Sequence, residues 1–102
     1  MTHRPHRNTS RDANQAAIAD ELRKSGFDVL DVSSLGGRVL DLLVIGYDIG
    51  QGREVMRLVE VKVPGSGKTF TMDETEMLYL HPDVCVLATC AEDVLRVYGR
   101  IG

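Results

Sequence analysis

The stretch VLDLLVIGYDIGQGREVMRLVEVKV, residues 39–63, predicts a hairpin of two β-strands. Residues 39–45 form an almost continuous apolar run, and residues 54–63 are rich in valine, which favours strands. Between them, the glycine-rich segment GYDIGQGR is typical of a turn. If the hairpin is centred on Gly50 and Gln51, residues whose numbers add up to 101 face each other across the two strands.

This register places Asp41 directly across from Glu60, although a bulge in either strand would shift it. Two facing carboxylates repel each other, and a charge within an apolar strand is costly unless it is paired or coordinated. A divalent cation such as Mg²⁺ between them would remove that cost. Lys62 follows Glu60 by two positions, so both side chains point to one face of the strand. An Asp, a Glu and a Lys around one cation are suited to phosphodiester hydrolysis, whereas a solvent-exposed sheet face is the alternative explanation.

The whole sequence predicts elements in the order α-β-β-β-α-β-α, which is an α/β fold with a small mixed sheet flanked by helices. Apolar periodicity and capping residues locate the elements outside the hairpin. These are a helix over 13–26 with Gly26 as its stop, a strand over 27–32, a loop over 33–38, a helix capped by Thr71 that ends near His81, a strand over 84–89 and a short helix over 91–99.

The chain of 102 residues is predicted to form one domain over 12–102, after a flexible basic tail over 1–11. The tail could follow phosphates, or it is simply a frayed terminus; the net charge of −3 argues against coating nucleic acid through bulk charge. No apolar run suits a membrane helix or a secretory signal, which predicts a cytoplasmic protein. Cys85 and Cys90 are predicted to be reduced thiols, since their spacing is no zinc signature.

The segment GSGKT, residues 65–69, is similar to the phosphate-binding loop of nucleotide hydrolases. That loop requires a glycine five positions before Gly67, where this chain has Lys62. We therefore predict a turn in which Lys68 contacts a phosphate as a point charge, and no nucleotide cofactor.

Gln15 shares one helical face with Ile18, Ala19 and Leu22, so a polar amide heads the apolar stripe that packs on the sheet. Two explanations stay open. Gln15 reaches a metal-bound water or a phosphate at the site, or it is an amide at the edge of the core.

The spacing from Asp41 to Glu60-Val61-Lys62, within this order of elements, resembles the PD-(D/E)XK nuclease superfamily. The closest resemblance is to small phage-type and VRR-NUC-like nucleases, which include Holliday-junction-resolvase-like proteins. The segments that carry it are NQAAIADELRKSGFDVLDVSSLGG, VLDLLVIG, LVEVKV, KTFTMDE and VCVLAT, which together span most of the chain beyond the basic tail.

This resemblance implies a restriction-endonuclease-like core and an Mg²⁺- or Mn²⁺-dependent endonuclease that acts on DNA, with branched or junction DNA as a candidate substrate, and that forms a homodimer. It implies that Asp41, Glu60 and the Val61 carbonyl bind the metal and that Lys62 is catalytic. Gln15 stands where relatives carry Glu or Gln. The residues implied in nucleic-acid binding are Ser34, Gly36, Gly37, Arg38 and Lys68, in a loop whose serines and glycines let a DNA backbone approach closely.

Two positions depart from the pattern of these nucleases. Leu40 replaces a proline that often precedes the aspartate, and Thr75 stands where similar nucleases often carry a glutamine that positions substrate. The alternative function is therefore a catalytically weak nucleic-acid-binding or assembly module that retains the nuclease fold. The intact Asp41, Glu60 and Lys62 favour the nuclease.

Overall fold

The computed structural model describes residues 9–63, 65 and 70–102 and confirms an α/β fold with three helices and a four-stranded mixed sheet. Most of the segment predicted as a tail, residues 1–8, lies outside the described residues, whereas 9–11 belong to the first helix. The elements are α1 (Thr9–Lys24), β1 (Asp28–Asp31), a 3₁₀ turn (Ser33–Leu35), β2 (Leu42–Asp48), β3 (Arg53–Val61), α2 (Met72–Leu80), β4 (Cys85–Ala88) and α3 (Ala91–Val97).

The sheet has the strand order β1-β2-β3-β4, with the first two pairings antiparallel and the β3–β4 pairing parallel. Leu42 pairs with Val59 and Asp48 pairs with Arg53, so the predicted register of the hairpin is confirmed. The strands lie a few residues away from their predicted bounds. β2 begins at Leu42, so Asp41 immediately precedes the strand and does not interrupt it.

The core lies between one face of the sheet and the helices α1 and α3. Alternation along β3 points Val59 and Val61 to this face, where both are fully buried. Helical periodicity places Leu22 of α1 and Val94 of α3 against them, and both are also fully buried. Each such side chain contributes about 1.5–3 kcal/mol relative to an exposed one, which fixes the position of the ends of β2 and β3.

The opposite face of the sheet is covered only in part, by α2. As predicted, α2 begins with Thr71 as its cap, and it has no buried residue. On the uncovered part of this face, four apolar side chains are about half exposed, namely Leu30, Tyr47, Met56 and Leu87. No helix in the described ranges is both long and apolar enough to cross a bilayer.

A buried charge pair lies on the core face, at the turn end of the hairpin. Arg57 Nη2 is 2.8 Å from Asp48 Oδ2, and the Arg57 guanidinium lies 4.3 Å from the centre of the Tyr98 ring. A hydrogen bond from the Gln51 N–H, together with Arg57, holds the pKa of Asp48 below its usual value although burial opposes this. Contacts within the fold therefore compensate both buried charges, those of Asp48 and Arg57.

Gly46 is a point of close approach between β2 and the ring of Phe27. A Cβ atom at this position would lie 2.2 Å from two ring carbons of Phe27. We expect Gly46→Ala to destabilise the fold by about 1–3 kcal/mol, because the aromatic ring must leave its packed position. Urea unfolding measures the loss. Gly102→Ala, where an added Cβ meets nothing within 4 Å, is the control; equal stability of the two variants would contradict the prediction.

Candidate active site

Asp41 lies at the point where the chain enters β2, beside the end of β3. Its N–H donates to the Val59 carbonyl at 2.9 Å, and its Oδ2 accepts the Val61 N–H at 2.8 Å. The residue is 4% exposed. The backbone of β3 therefore holds this carboxylate against the strand that carries Glu60.

Glu60 is the second carboxylate, and it is 1% exposed. Alternation along β3 points it away from the core residues Val59 and Val61, toward the face that α2 covers. Its pKa is raised to about 7, first by burial, then by the charge of Asp41 and by a hydrogen bond with Glu74, while a hydrogen bond from Lys62 opposes the rise. The two carboxylates interact, as the register predicts.

Lys62 lies on the same side of the chain as Glu60, as the two-residue spacing predicts. Its Nζ is 3.2 Å from Glu60 Oε2 and 3.2 Å from Glu74 Oε1, and it lies 4.8 Å from the centre of the Phe70 ring. The side chain is 16% exposed. The ammonium group therefore stands at the edge of the site, between the buried carboxylate and solvent.

Glu74, at the start of α2, is a site residue that the sequence analysis missed. It completes a capping box, in which its Oε1 accepts the Thr71 N–H at 2.9 Å and its N–H donates to Thr71 Oγ1 at 3.1 Å. Burial would raise the pKa of Glu74, but hydrogen bonds from Thr71, Glu60 and Lys62 outweigh it, and the pKa is lowered. The T-x-x-E pattern over 71–74 was the available signal, since it predicts a glutamate at the third helical position.

The loop over 33–38 begins next to Val32, whose N–H donates to the Asp41 carbonyl at 3.0 Å. Ser34, Gly36 and Gly37 are all exposed. The two glycines have φ of 67° and 63°, and a Cβ added to either would meet nothing within 4 Å. Side chains therefore leave the backbone at the two glycines uncovered, and DNA binding by this loop stays a prediction.

Arg38, at the end of the same loop, contacts α2. Its Nη1 lies 2.6 Å from Glu76 Oε1 and 3.6 Å from Asp73 Oδ1. The predicted phosphate ligand Lys68 lies outside the described residues.

Gln15 is 7% exposed and belongs to a different set of contacts. Its Nε2 donates to Asp31 Oδ2 at 2.8 Å and to Ser33 Oγ at 3.4 Å. α1 packs on the core face of the sheet, whereas Glu60 points to the face that α2 covers. The structure brings Asp41, Glu60 and Lys62 together and places Gln15 in this neighbouring cluster.

Asp41 and Glu60 supply the kind of carboxylate oxygens that a hard divalent cation takes as ligands. Burial and the neighbouring charge of Asp41 raise the pKa of Glu60, and a divalent cation bound between the two acids would lower it. No group of three His, Cys, Asp or Glu side chains suited to a metal occurs in the part of the chain that the structure describes. Mg²⁺ takes one or two protein carboxylates and keeps several waters, so Asp41 and Glu60 suffice as its protein carboxylates.

We expect Mg²⁺ or Mn²⁺ to raise the melting temperature of the protein at pH 8, because a ligand of the folded state stabilises it by mass action. Asp41→Asn should abolish that rise, since it removes one of the two charges. Differential scanning fluorimetry measures both proteins, with exposed Asp20→Asn as the matched control. An equal metal-induced rise in the melting temperature of wild type and Asp41→Asn would contradict the prediction that Asp41 and Glu60 bind one cation.

A comparison of the chain with protein-family models, curated proteins and solved structures found no match.

Proposed function

We propose that this protein is a metal-dependent nuclease that hydrolyses phosphodiester bonds in DNA. The observation that carries the proposal is the arrangement of three side chains: two buried carboxylates, Asp41 and Glu60, with the Lys62 ammonium 3.2 Å from Glu60. The charge of Asp41 disfavours ionisation of Glu60, and a bound cation would favour the ionised form of both acids. Phosphodiester hydrolysis uses both acids as metal ligands and the lysine as a fixed positive charge.

In this mechanism, Asp41 and Glu60 would hold Mg²⁺ or Mn²⁺, with the Val61 carbonyl as a further ligand. The chemistry that such an ion would supply is Lewis-acid polarisation of the phosphate and a lowered pKa of a water. Lys62 donates hydrogen bonds to the attacking water or to a phosphate oxygen, and it cannot bind the metal because an ammonium group has no lone pair. The hydrogen bond from Val61 fixes Asp41, so the site is held by the end of β3.

The substrate path in the proposal follows the loop over 33–38. Its exposed glycines allow a DNA backbone to lie near Asp41, and Arg38 and Lys68 provide positive charge. Branched or junction DNA is the proposed substrate class, and a homodimer would present two sites to it. Sedimentation measurements test the homodimer.

A nucleic-acid-binding or assembly module is the second candidate function. The observation that favours it is that Lys62 and Arg38 both form ion pairs with α2, so the cations serve the fold in this structure. Binding without turnover would distinguish the module from a nuclease.

The experiment is incubation of the pure protein with linear duplex, single-stranded and branched DNA, in Mg²⁺, Mn²⁺ or EDTA. The proposal predicts cleavage in Mg²⁺ or Mn²⁺, none in EDTA, and none by Asp41→Asn in any of these conditions. Cleavage in EDTA, or equal cleavage by Asp41→Asn, would contradict it. Binding without cleavage of any DNA would favour the module.

A further inference from the structure

The N-terminal half of α2 carries three carboxylates within four residues, Asp73, Glu74 and Glu76. All three contact the cations beside the candidate site, Asp73 with its Oδ1 3.6 Å from Arg38 Nη1. Glu74 Oε1 is 3.2 Å from Lys62 Nζ, and Glu76 Oε1 is 2.6 Å from Arg38 Nη1. The acids of one helix thus occupy two cations that the proposed function assigns to the substrate.

The rest of α2 is weakly attached to the fold. None of its residues is fully buried: Met77 and Leu78 are partly buried, and Met72, Tyr79 and Leu80 are 77%, 81% and 56% exposed. Apolar burial therefore holds this helix on the sheet through two partly buried side chains only. The ion pair of Arg38 with Glu76 is itself about half exposed, and exposed pairs contribute only about 0–1 kcal/mol each.

Carboxylates and phosphodiester groups compete for the same donors. Both present anionic oxygens to arginine and lysine, and both form charge-assisted hydrogen bonds with them. A nucleic-acid backbone approaching Lys62 and Arg38 therefore meets cations whose positive charge is already compensated by α2. Binding requires that these carboxylates be replaced.

We propose that α2 is an acidic lid, in which Glu74 and Glu76 hold Lys62 and Arg38 until the phosphates of a nucleic acid displace them. This inference rests on the proposed function, because it takes these cations to be the ones that meet the substrate. The lid keeps the site closed in a protein of net charge −3 and releases two positive charges only where a polyanion is present.

The test variant is Glu74→Gln with Glu76→Gln, which leaves Arg38 only its more distant α2 partner, Asp73, 3.6 Å from Nη1. Glutamine at position 74 retains the capping box, so α2 keeps its start. The matched control is Glu21→Gln with Glu54→Gln, which removes the same charge from two exposed acids, one on α1 and one near the turn end of β3. Binding of fluorescent duplex and branched DNA is measured by anisotropy in EDTA, so that no cleavage occurs.

We expect the lid variant to bind DNA roughly tenfold more tightly than the control, which corrects for the general effect of net charge. Hydrogen exchange should show faster exchange of the α2 amides in the wild-type protein when DNA is added.

Equal affinity of the lid and control variants, or slower exchange of α2 in the complex, would overturn the lid. Absence of binding by all three proteins would also overturn it. Cleavage by wild type in Mn²⁺ is scored separately. Tighter binding by the lid variant without any cleavage would reject the nuclease and support the lid. Cleavage with equal affinities of the lid and control variants would support the nuclease and reject the lid.

Discussion

Lys62→Met is expected to lower the rate of DNA cleavage by roughly two to four powers of ten, the usual effect of losing a positioned charged or proton-transferring group. Methionine keeps most of the aliphatic stem, so β3 and the position of Glu60 should survive. Metal affinity at pH 8 should be unchanged or slightly higher, because the variant removes a positive charge 3.2 Å from Glu60. Single-turnover cleavage and Mn²⁺ titration measure the two quantities.

Lys24→Met is the matched control, since Lys24 is exposed in the last turn of α1. It should cleave at the wild-type rate. A folded Lys62→Met protein that cuts DNA as fast as wild type would show that the activity arises elsewhere.

Glu60→Gln is expected to stabilise the metal-free protein at pH 8 by about 1–3 kcal/mol and to abolish cleavage. The pKa of Glu60 is raised from 4.5 to about 7 in the folded state. The folded protein therefore binds more protons than the unfolded chain between these values, and stability falls as pH rises through that window. Glutamine stays neutral, so the variant does not lose this stability.

Chemical unfolding of both proteins at pH 4.5 and at pH 8, in EDTA, tests this prediction. The difference in the free energy of unfolding should be small at pH 4.5 and should favour Glu60→Gln at pH 8. Glu54→Gln, an exposed change on the same strand, should match wild type at both pH values. Equal unfolding free energies of wild type and Glu60→Gln at pH 8 would contradict the raised pKa of Glu60.

The hairpin could be predicted from sequence because its determinants are local. Alternation along β3 and a short glycine-rich turn define which residues face each other, and the observed pairs from Leu42–Val59 to Asp48–Arg53 follow that register. Strand ends were less predictable. Apolar character alone extended β2 back to Val39, although the chain bends at Asp41 before the ladder begins.

The contacts of α2 and of Gln15 could not be predicted, because they join segments far apart in the chain. The capping pattern of Thr71 and Glu74 predicts where α2 begins but not which face of the sheet it covers. That choice brings Glu74 to Lys62 and Glu76 to Arg38. The helical face of Gln15 predicts that its amide lies toward the sheet. Its hydrogen-bond partner, Asp31, depends on how α1 crosses the sheet and could not be predicted.

The most direct measurement of the central claim is the broadening of backbone amide signals by substoichiometric Mn²⁺ in the NMR spectrum at pH 8. A cation held by Asp41 and Glu60 predicts that the amide signals of Asp41, Val61 and Lys62 broaden first, and that Glu60→Gln suppresses the effect. Broadening centred on other acidic residues, or unchanged in Glu60→Gln, would contradict a metal site at the ends of β2 and β3.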